Sequence, residues 1–343
     1  MIKKEKVKKI LIIKLRGIGD VILSTVVFDN LRNDFPSAEI HFLTEPPSYP
    51  ALVKIDFITS ILLFKKDSFL NGIGLIFKVM ANRYDLILDF YSNPRTALIS
   101  FLSFSKYRAG FPYRGRSYAY NLKGPIERDK FHAAQLHLEF LKLINISNNK
   151  NTLHFGLSED DTRFADEYFS QNFSSNDFII GLSPSGGWNS KKCDPIKFAE
   201  IGNSVIKNYN AKILVVWGPG DKKEAEEIIH LINHNAFLAP ITDITKMAAL
   251  IKKCKALIAN DSGPMHISTA VKTPTLALHG PTNPNLQGPF GESHEWIRHE
   301  KLDCIECNLL DCPKKHECFL ELPIESIMNK FEILLRKNNL KEK

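Results

Sequence analysis

Short apolar runs alternate with amphipathic stretches along the first half of the chain. The runs at 9–15 (KILIIKL), 39–44 (EIHFLT) and 85–90 (DLILDF) are mostly Ile, Leu and Phe, a pattern typical of strands buried in a parallel sheet. Two stretches that follow such runs, 21–34 and 96–104, carry helical spacing. Strands that alternate with helices in this way predict a doubly wound α/β sheet.

The alternation starts again after a polar segment, 145–176, that is rich in Asn, Ser and Asp. Apolar runs at 178–183, 256–260 and 275–279 alternate with further helical stretches. A final amphipathic helix is predicted over 322–336. Open sheets of this kind bind ligands beyond the carboxyl ends of their strands, so the turns after the strands are the places to look for function.

A chain of 343 residues has room for two such sheets. We predict an amino-terminal domain over 1–155 and a carboxyl-terminal domain over 156–343. The helix at 322–336 is expected to pack back towards the first domain.

The composition limits the classes of protein to which the chain can belong, and its charge indicates which kind of partner it binds. Apolar residues make up 44% and charged residues 24%, which excludes collagen-like, coiled-coil and wholly disordered chains. The net charge of +7 is concentrated in residues 1–16, with seven cations against one acid, and 106–130, with seven against two. Such patches favour anionic partners, although a solvated surface explains most of the amino-terminal lysines equally well.

The sequence of the amino terminus does not predict a signal peptide. The apolar run at 10–13 is interrupted by Lys14 and Arg16, so it is too short for a signal peptide. No window approaches the ~20 apolar residues of a spanning helix. We therefore expect a cytoplasmic protein, with contact at the inner face of the inner membrane as a further expectation.

The turn after the first strand carries Gly17, Gly19 and Asp20. A dinucleotide fingerprint would need a third glycine where Ile22 stands, and Asp20 would repel a pyrophosphate. One interpretation is that the glycines let a substrate approach the backbone while Asp20 acts as a general base. The alternative is that Asp20 only interacts with the dipole of the helix that follows.

A second turn, 183–192 (SPSGGWNSKK), follows a predicted strand. Its small and hydroxyl-bearing residues Ser183, Ser185 and Gly186, with two lysines beside them, suit a phosphate nest, and an ordinary flexible loop is the alternative. The spacing is not that of a Walker A motif, which disfavours P-loop ATPase chemistry.

A third turn, 260–266 (NDSGPMH), precedes another predicted helix. Asp261 or Ser262 can cap this helix, and the N–H groups of Ser262 and Gly263 can hold a phosphate. Asp261 is then either a plain cap or a ligand for sugar hydroxyls. His266 lies inside the helix, where a packed histidine is the more common role.

In this order the blocks resemble the heptosyltransferase family, glycosyltransferase family 9, of the GT-B architecture. The matching stretches are ILIIKLRGIGDVILSTVVFDNLR, YDLILDF, LSPSGGWNSKKCDPIKFAEI and ANDSGPMHISTAVKTPTLALHGPTNP. The resemblance implies two Rossmann-like domains that face each other across a cleft, the first for the acceptor and the second for a nucleotide-sugar donor. It also implies inverting, metal-independent transfer of a sugar, typically heptose from ADP-heptose, to the inner core of lipopolysaccharide.

The resemblance assigns roles to residues of this sequence. Asp20 matches the base that deprotonates the acceptor hydroxyl, Lys191 the lysine that contacts the donor diphosphate, and Asp221 an acidic ribose ligand. The rest of the donor block is matched by Asp261, Ser262, Gly263 and His266. Cys193 stands where the family has a tryptophan, and Lys192 leaves the register of the catalytic lysine open by one residue.

The basic segment of the first domain suits the acceptor half of such an enzyme. We expect Arg108, Arg114 and Arg116 to bind acceptor phosphate or the membrane surface, with Gly17 and Gly19 beside the acceptor hydroxyl.

Four of the six cysteines, Cys304, Cys307, Cys312 and Cys318, fall within fifteen residues. A structural zinc site is one interpretation, with His316 as a substitute ligand. Disulfide bonds, or thiols without any metal, are the alternatives.

Three other functions compete with this interpretation. A nicotinamide-dependent dehydrogenase would need the full glycine fingerprint. A nucleic-acid-binding protein would place aromatic residues among the basic ones, as Phe111 and Tyr113 do here, but it would not need two nucleotide-type halves. A transferase of the same family that uses a hexose or an N-acetylhexosamine keeps the chemistry and changes the sugar.

Overall fold

The computed structural model describes residues 2–65, 69–232 and 234–340; Met1, 66–68, 233 and 341–343 lie outside this description. Backbone contacts divide the chain into two units, Met1–Gly156 and Leu157–Lys343, and the division falls inside the polar segment at 145–176.

The first unit is a six-stranded sheet in which every pair of neighbouring strands is parallel. Its strands are β1 (Lys9–Ile13), β2 (Glu39–Thr44), β3 (Ser60–Leu63), β4 (Leu86–Asp89), β5 (Tyr107–Gly110) and β6 (Leu122–Lys123), in the order β3-β2-β1-β4-β5-β6. Its helices are α1 (Ile18–Ser24), α2 (Phe28–Asp34), α3 (Tyr49–Leu52), α4 (Phe69–Asn82), α5 (Pro94–Leu102) and α6 (Ala133–Leu143). Strand order reverses between β1 and β4, which makes their carboxyl ends the expected ligand edge.

The second unit repeats this topology with a second parallel sheet. Its strands are β7 (Phe178–Ser183), β8 (Ala211–Val215), β9 (Ala236–Leu238), β10 (Ala256–Asn260), β11 (Thr275–His279) and β12 (Glu295–Arg298), in the order β12-β11-β10-β7-β8-β9. Its helices are α7 (Glu159–Asn172), α8 (Pro195–Tyr209), α9 (Lys222–Ile232), α10 (Ile244–Lys253), α11 (Gly263–Ala270), α12 (Pro284–Gln287), α13 (Glu317–Leu320) and α14 (Ile324–Lys337). The reversal here lies between β7 and β10.

Apolar side chains from both faces of each sheet form the cores, as expected of parallel sheets covered by helices on both sides. The last helix, α14, buries Ile327, Phe331 and Leu335 in the core of its own unit, against α8, β11 and β12. Its expected packing towards the first domain stays a prediction. No helix in the described ranges combines the length and the apolar character that a membrane crossing requires.

The predicted α/β class with doubly wound parallel sheets is confirmed, but one helix differs from its prediction. The stretch 21–34 is not continuous, because a 3-10 turn, Thr25–Val27, separates α1 from α2. The hydroxyls of Ser24 and Thr25 donate to the carbonyls of Val21 and Ile22, three residues back, each at 2.6 Å. Side-chain bonds of this kind compete with the helical ladder and tighten it locally.

Candidate active site

In the first unit, the turn between β1 and α1 presents a carboxylate at the ligand edge. Gly17 adopts φ +78°, in the left-handed region, and a Cβ there would lie 2.6 Å from Oδ2 of Asp20. This glycine is therefore required by both the backbone and the side chain beside it. Asp20 is exposed, so its carboxylate is accessible to a substrate.

A buried lysine faces that carboxylate. Lys14 follows β1 and is 5% exposed, and its Nζ lies 3.3 Å from Oδ1 of Asp20. Lysines are rarely buried without a partner, so the pair accounts for both side chains. In the sequence Lys14 reads only as an interruption of an apolar run, although a lysine at the carboxyl end of a buried strand is itself a signal.

A fully buried carboxylate closes the next strand of this edge. Asp89, the last residue of β4, accepts hydrogen bonds from the backbone N–H of Ser92 at 2.7 Å and the hydroxyl of Tyr120 at 2.7 Å. Burial raises the pKa of Asp89, and these bonds oppose that effect. The contacts tie the end of β4 to the segment that carries the basic residues.

Four cations of the basic segment line one open cavity of about 740 Å³. Its lining includes Arg114, Arg116, Lys123 and Arg128, and the guanidinium of Arg128 stacks over the rings of Phe111 at 5.6 Å and Tyr113 at 5.3 Å. Nε of Arg116 is buried and has no hydrogen-bond partner among the described residues. The cavity therefore has the composition of an anion site.

Arg108, which the sequence grouped with Arg114 and Arg116, lies elsewhere. Its Nε donates to the carbonyl of Ala119 at 3.0 Å and its Nη1 to the carbonyl of Ser105 at 2.6 Å. The side chain holds backbone in place and does not line the cavity, while Lys123 and Arg128 were missed as members.

In the second unit, the turn after β7 leads into a 3-10 turn, Asn189–Lys191, that buries the first of the two lysines. Nζ of Lys191 donates to Oδ2 of Asp261 at 2.6 Å and lies 4.5 Å from the centre of the Trp188 ring. The aromatic face and the carboxylate together stabilise a buried ammonium.

Asp261 is the centre of a buried polar cluster at the end of β10. The hydroxyl of Thr282 also donates to its Oδ2, at 2.5 Å, and Nδ1 of His279 lies 4.0 Å from the same oxygen. Burial by itself would raise the pKa of Asp261, but the charges of His279 and Lys191 and the hydrogen bonds from Lys191 and Thr282 hold it below its ordinary value. Burial lowers the pKa of His279 to about 4, so its ring is neutral at pH 7.

The second lysine joins a different set of carboxylates. Nζ of Lys192 lies 2.7 Å from Oδ1 of Asp221 and 3.0 Å from Oε1 of Glu224. Burial alone would lower the pKa of Lys192, but the two carboxylates raise it above its ordinary value. Two adjacent lysines are thus paired with acids from two different strand-to-helix turns.

Hydrogen bonds join the turn after β7 to the end of β10 and to the turn after β8. Asn260 donates from Nδ2 to the carbonyl of Pro184 at 2.8 Å, and Ser185 accepts from the N–H of Gly218 at 3.3 Å. The hydroxyl of Ser183 is buried without a hydrogen-bond partner in the described part of the chain. A Cβ on Gly186 would lie 2.6 Å from Cγ of Lys192, so this glycine makes room for the lysine.

Helix α11 begins at this same edge. Ser262 occupies the N-cap position, and Gly263 is the first helical residue, followed by Pro264. His266 is 8% exposed and lies one turn into the helix. The first N–H groups of a helix have no partners within it, and they lie beside Asp261, as the sequence suggested for an anion site.

The structure brings most of the predicted donor residues to one edge of the second sheet, around β7 and β10. It also adds Thr282, His279 and Glu224, which sequence reasoning missed. The stretch GPT directly after β11 could have pointed to Thr282, because that strand neighbours β10.

The cysteine cluster is not arranged as a metal site. All six cysteines are free, and no group of three or more His, Cys, Asp or Glu within the described ranges could hold a metal ion. Burial raises the pKa of Cys318 to about 12, with the neighbouring thiols adding to this effect, so it is a thiol and not a thiolate at neutral pH. The zinc interpretation finds no support in this geometry, and the disulfide alternative finds none either.

Comparisons with solved structures agree with the fold. The glycosyl transferase family 9 protein of Veillonella parvula superposes with a TM-score of 0.83 at 21% identity, over 96% of this chain and 97% of that one. Escherichia coli ADP-heptose lps heptosyltransferase II superposes with a TM-score of 0.77 at 19% identity, over 96% and 99%. At these identities the similarities show the fold alone: each of the two units has the doubly wound fold found in those structures.

Sequence comparisons identify the family. The lipopolysaccharide core heptosyltransferase OpsX of Haemophilus influenzae is 25% identical over 295 residues, 83% of each chain. Lipopolysaccharide heptosyltransferase 2 of Escherichia coli is 24% identical over 313 residues, 84% of this chain and 88% of that one. Residues 74–317 match the profile of glycosyltransferase family 9 (heptosyltransferase). The resemblance seen in the sequence is confirmed: the chain belongs to glycosyltransferase family 9 and is a glycosyltransferase.

Proposed function

We propose that this protein transfers heptose from ADP-heptose to the inner core of lipopolysaccharide, with inversion at the anomeric carbon. The observation that carries the proposal is the buried pair of Lys191 and Asp261 beside the first turn of α11. A fixed ammonium next to unpaired helix N–H groups suits the diphosphate of a nucleotide sugar. The names of the related proteins supply the sugar and the acceptor.

Inversion needs a single displacement, so one base is sufficient. In this mechanism the acceptor hydroxyl oxygen attacks the anomeric carbon of the donor and Asp20 takes the hydroxyl proton. The bond from that carbon to the diphosphate oxygen breaks, and the nucleoside diphosphate leaves with the electron pair. A second carboxylate nucleophile is not required, in contrast to retaining hydrolases.

Asp20 suits the role of base in its environment. The carboxylate is exposed, and it lies at the reversal of strand order in the first sheet. The ammonium of Lys14 lies 3.3 Å from Oδ1 of Asp20 and holds the carboxylate in position. A positioned base of this kind contributes about 10²- to 10⁴-fold in rate.

Lys191 has the role of stabilising the leaving diphosphate. Because Asp261 and Trp188 hold the ammonium, little reorganisation is needed when the negative charge develops. Ser185, Gly186 and the N–H groups of Ser262 and Gly263 would complete the phosphate site, and Asp221 would bind the ribose. A lysine and a helix terminus can replace a divalent metal, so we propose metal-independent transfer.

For the acceptor, we propose that the cavity with Arg114 and Arg116 binds a phosphate group of the inner core. Lys123 and Arg128 join them in its lining, and the buried Nε of Arg116 supplies a donor for an anionic oxygen. Arg108 stabilises the backbone of this segment by donating hydrogen bonds to the carbonyls of Ala119 and Ser105.

The test is transfer to a deacylated lipopolysaccharide core from a panel of nucleotide sugars, with the products read by mass. We expect a product heavier by one heptose from ADP-heptose, unchanged by a chelator, and binding of ADP in preference to UDP. Asp20→Asn should bind ADP normally while transfer falls about 10²- to 10⁴-fold. Transfer of a hexose or an N-acetylhexosamine, with none from ADP-heptose, would contradict the proposal that ADP-heptose is the donor. Wild-type turnover by Asp20→Asn would show that Asp20 is not the base.

A further inference from the structure

The segment at 90–126 of the first unit combines a one-sided charge with exposed apolar side chains. It contains six Lys or Arg residues and no Asp or Glu. In the same segment Leu98, Phe101, Phe104 and Tyr118 are exposed, Phe104 to 73%. The donor and acceptor sites described above do not use these apolar side chains.

Helix α5 presents one outward face to solvent. Arg95, Leu98 and Phe101 recur at a spacing of three residues and are exposed, while Thr96, Ala97, Ile99 and Ser100 between them are buried. Residues three apart lie on the same side of a helix, so a cation and two apolar side chains share this face. The outward side of α5 therefore leaves Leu98 and Phe101 in solvent, where polar side chains are usual on a surface helix.

Two further rings extend this face. Tyr118 meets Phe101 edge to face, with ring centres 5.6 Å apart. Phe104 lies just past the end of α5 with φ +54°, a conformation that is uncommon for a bulky side chain. Lys106 follows it and is exposed. We call Arg95, Leu98, Phe101, Phe104, Lys106 and Tyr118 the aromatic–basic face.

This face continues into the basic cavity. Tyr118 lies in the same 3-10 turn, Arg116–Ala119, as Arg116, which lines that cavity. Ile126, also in the lining, is 75% exposed. A surface with exposed apolar side chains and a cavity lined by cations are therefore adjacent in one part of the first unit.

We propose that the aromatic–basic face docks the protein on an anionic lipid bilayer. Phenylalanine and leucine side chains would enter the boundary between headgroups and acyl chains, and Tyr118 has the amphipathic ring that prefers this depth. Arg95 and Lys106 would lie at the negatively charged headgroups. The proposal rests on the proposed function only for its purpose, which is to bring a lipid-linked acceptor to the basic cavity.

Charge complementarity favours a bilayer over a second copy of this chain. A symmetric dimer through this face would place its cations against the same cations of the partner, with no acid in 90–126 to pair with them. Scattered apolar side chains are common on surfaces, but apolar neighbours within a rim of one charge mark an interaction site.

The test is co-sedimentation with phosphatidylcholine vesicles prepared with and without phosphatidylglycerol. We expect binding that depends on phosphatidylglycerol. The double variant Phe101→Ser with Phe104→Ser should bind at least about tenfold more weakly, because each phenylalanine loses its transfer from water. The matched control is Ile241→Ser, which replaces an exposed apolar residue of the second unit and should bind as the wild type does.

The second part of the test reverses the charge of two residues of this face, in the double variant Arg95→Glu with Lys106→Glu. Binding to the anionic vesicles should fall about fivefold or more for each residue, most strongly at low salt. Lys207→Glu with Lys301→Glu, at exposed positions in the second unit, makes the same change in net charge and should have little effect.

The outcomes separate this proposal from the proposed function. The Phe101 and Phe104 double variant should transfer to a water-soluble, deacylated acceptor at the wild-type rate and lose rate only on a lipid-linked acceptor in vesicles. Equal vesicle binding by the wild type and the double variant would overturn the docking face. So would a wild-type dimer that the double variant converts to a monomer. Absence of any transfer to the soluble acceptor would instead contradict the proposed function, whatever the vesicles show.

Discussion

Lys191 and Lys192 are neighbours in the chain, yet their ammonium groups meet different carboxylates. Lys191 is buried against Asp261 at the end of β10, whereas Lys192 reaches Asp221 and Glu224 around the start of α9. Lys191 is the last residue of the 3-10 turn and Lys192 follows it in an extended conformation, so the two side chains reach different carboxylates. At the scale of single residues, the proposed function of this turn depends on that separation.

The first prediction compares alanine variants of these two lysines. Lys191→Ala should lower kcat by about 10²- to 10³-fold, because a donor that stabilises the leaving group is lost. Lys192→Ala should cause a clearly smaller loss in kcat and mainly weaken ADP binding. Steady-state kinetics and ADP calorimetry on folded protein measure both, with Lys222→Ala on the surface as control. A larger loss in kcat for Lys192→Ala would assign the catalytic role to the second lysine.

The second prediction concerns Thr282, which sequence reasoning missed. Thr282→Val removes a hydrogen bond to an ionised carboxylate and should destabilise the protein by about 1.5–3 kcal/mol at neutral pH. The pKa of Asp261 should rise, so the acidic limb of the kcat/KM profile should move to higher pH. Thr282→Ser keeps the hydroxyl and should restore the profile.

The same carboxylate fixes the sign of a stability change with pH. The pKa of Asp261 is lower in the folded protein than in the unfolded chain, so its contribution is present above the unfolded pKa and is lost as pH falls through the folded one. The difference in stability between wild type and Thr282→Val should therefore shrink in acid. Urea unfolding at neutral and acidic pH measures it, and a constant difference would mean that Thr282 acts only through packing.

At the scale of elements, the turn from β1 to α1 positions the proposed base. Gly17 precedes the helix in a left-handed conformation, and Asp20 lies in its first turn beside the space where a Cβ would be. The 3-10 turn Thr25–Val27 then separates α1 from α2. The glycine therefore sets the start of this short helix, and the hydroxyl bonds of Ser24 and Thr25 lie at its end.

The third prediction is that Gly17→Ala impairs catalysis more than stability. The backbone at φ +78° and ψ 107° should cost an alanine roughly 1–3 kcal/mol, and the new Cβ should displace the Asp20 carboxylate. Since a misplacement of about 1 Å can cost 10²-fold, kcat should fall by about that factor while ADP binding is retained.

The control for this change is Gly115→Ala. Gly115 also has a positive φ, +77°, but with ψ 5° it lies in the left-handed helical region, and no atom lies within 4 Å of its added Cβ. It should lose less stability than Gly17→Ala in urea unfolding and keep its kcat, and any effect on its neighbours Arg114 and Arg116 should appear in the KM for the acceptor. Equal losses of kcat in the two variants would mean that backbone strain, and not the position of Asp20, is responsible.

At the scale of the whole molecule, the positive charge divides by function. The first unit carries a cavity with four cations and an aromatic–basic face, and in the second unit Lys191 and Lys192 are each paired with a carboxylate. The carboxylates offset the long-range field of these two lysines, which act on a bound phosphate only at short range, whereas the cations of the cavity attract an anion from a distance. The net charge of +7 therefore bears most on the proposed acceptor side.

The fourth prediction reverses charge in the cavity. Arg114→Glu with Arg116→Glu should raise the KM for a phosphorylated acceptor and leave ADP binding unchanged, and the wild-type KM should rise with salt. Arg163→Glu, on the surface of α7, is the control. Weaker ADP binding with an unchanged acceptor KM would place the cavity on the donor side instead.

Much of the fold follows from local pattern. The runs at 178–183, 256–260 and 275–279 are strands with those same bounds, because strands buried on both faces must be apolar throughout. The apolar runs at 58–64 and 212–217 also predict strands, which the structure has as β3 and β8. The strands that pattern did not reveal, β5, β6, β9 and β12, lie at or next to sheet edges and are short or polar. There the pairing with a neighbouring strand, and not the side chains, stabilises the extended backbone.

The sequence by itself determined the α/β class, the family and the turns that carry the candidate chemistry, since these depend on local spacing and on blocks of residues in order. Only the tertiary structure decided which groups meet: Lys14 with Asp20, Lys191 with Asp261 and Thr282, and Arg128 rather than Arg108 at the basic cavity. The contacts of Asp261 join residues that follow different strands, and Lys14 meets Asp20 across the turn between β1 and α1. Their distances are set by strand order and burial, which no local pattern contains.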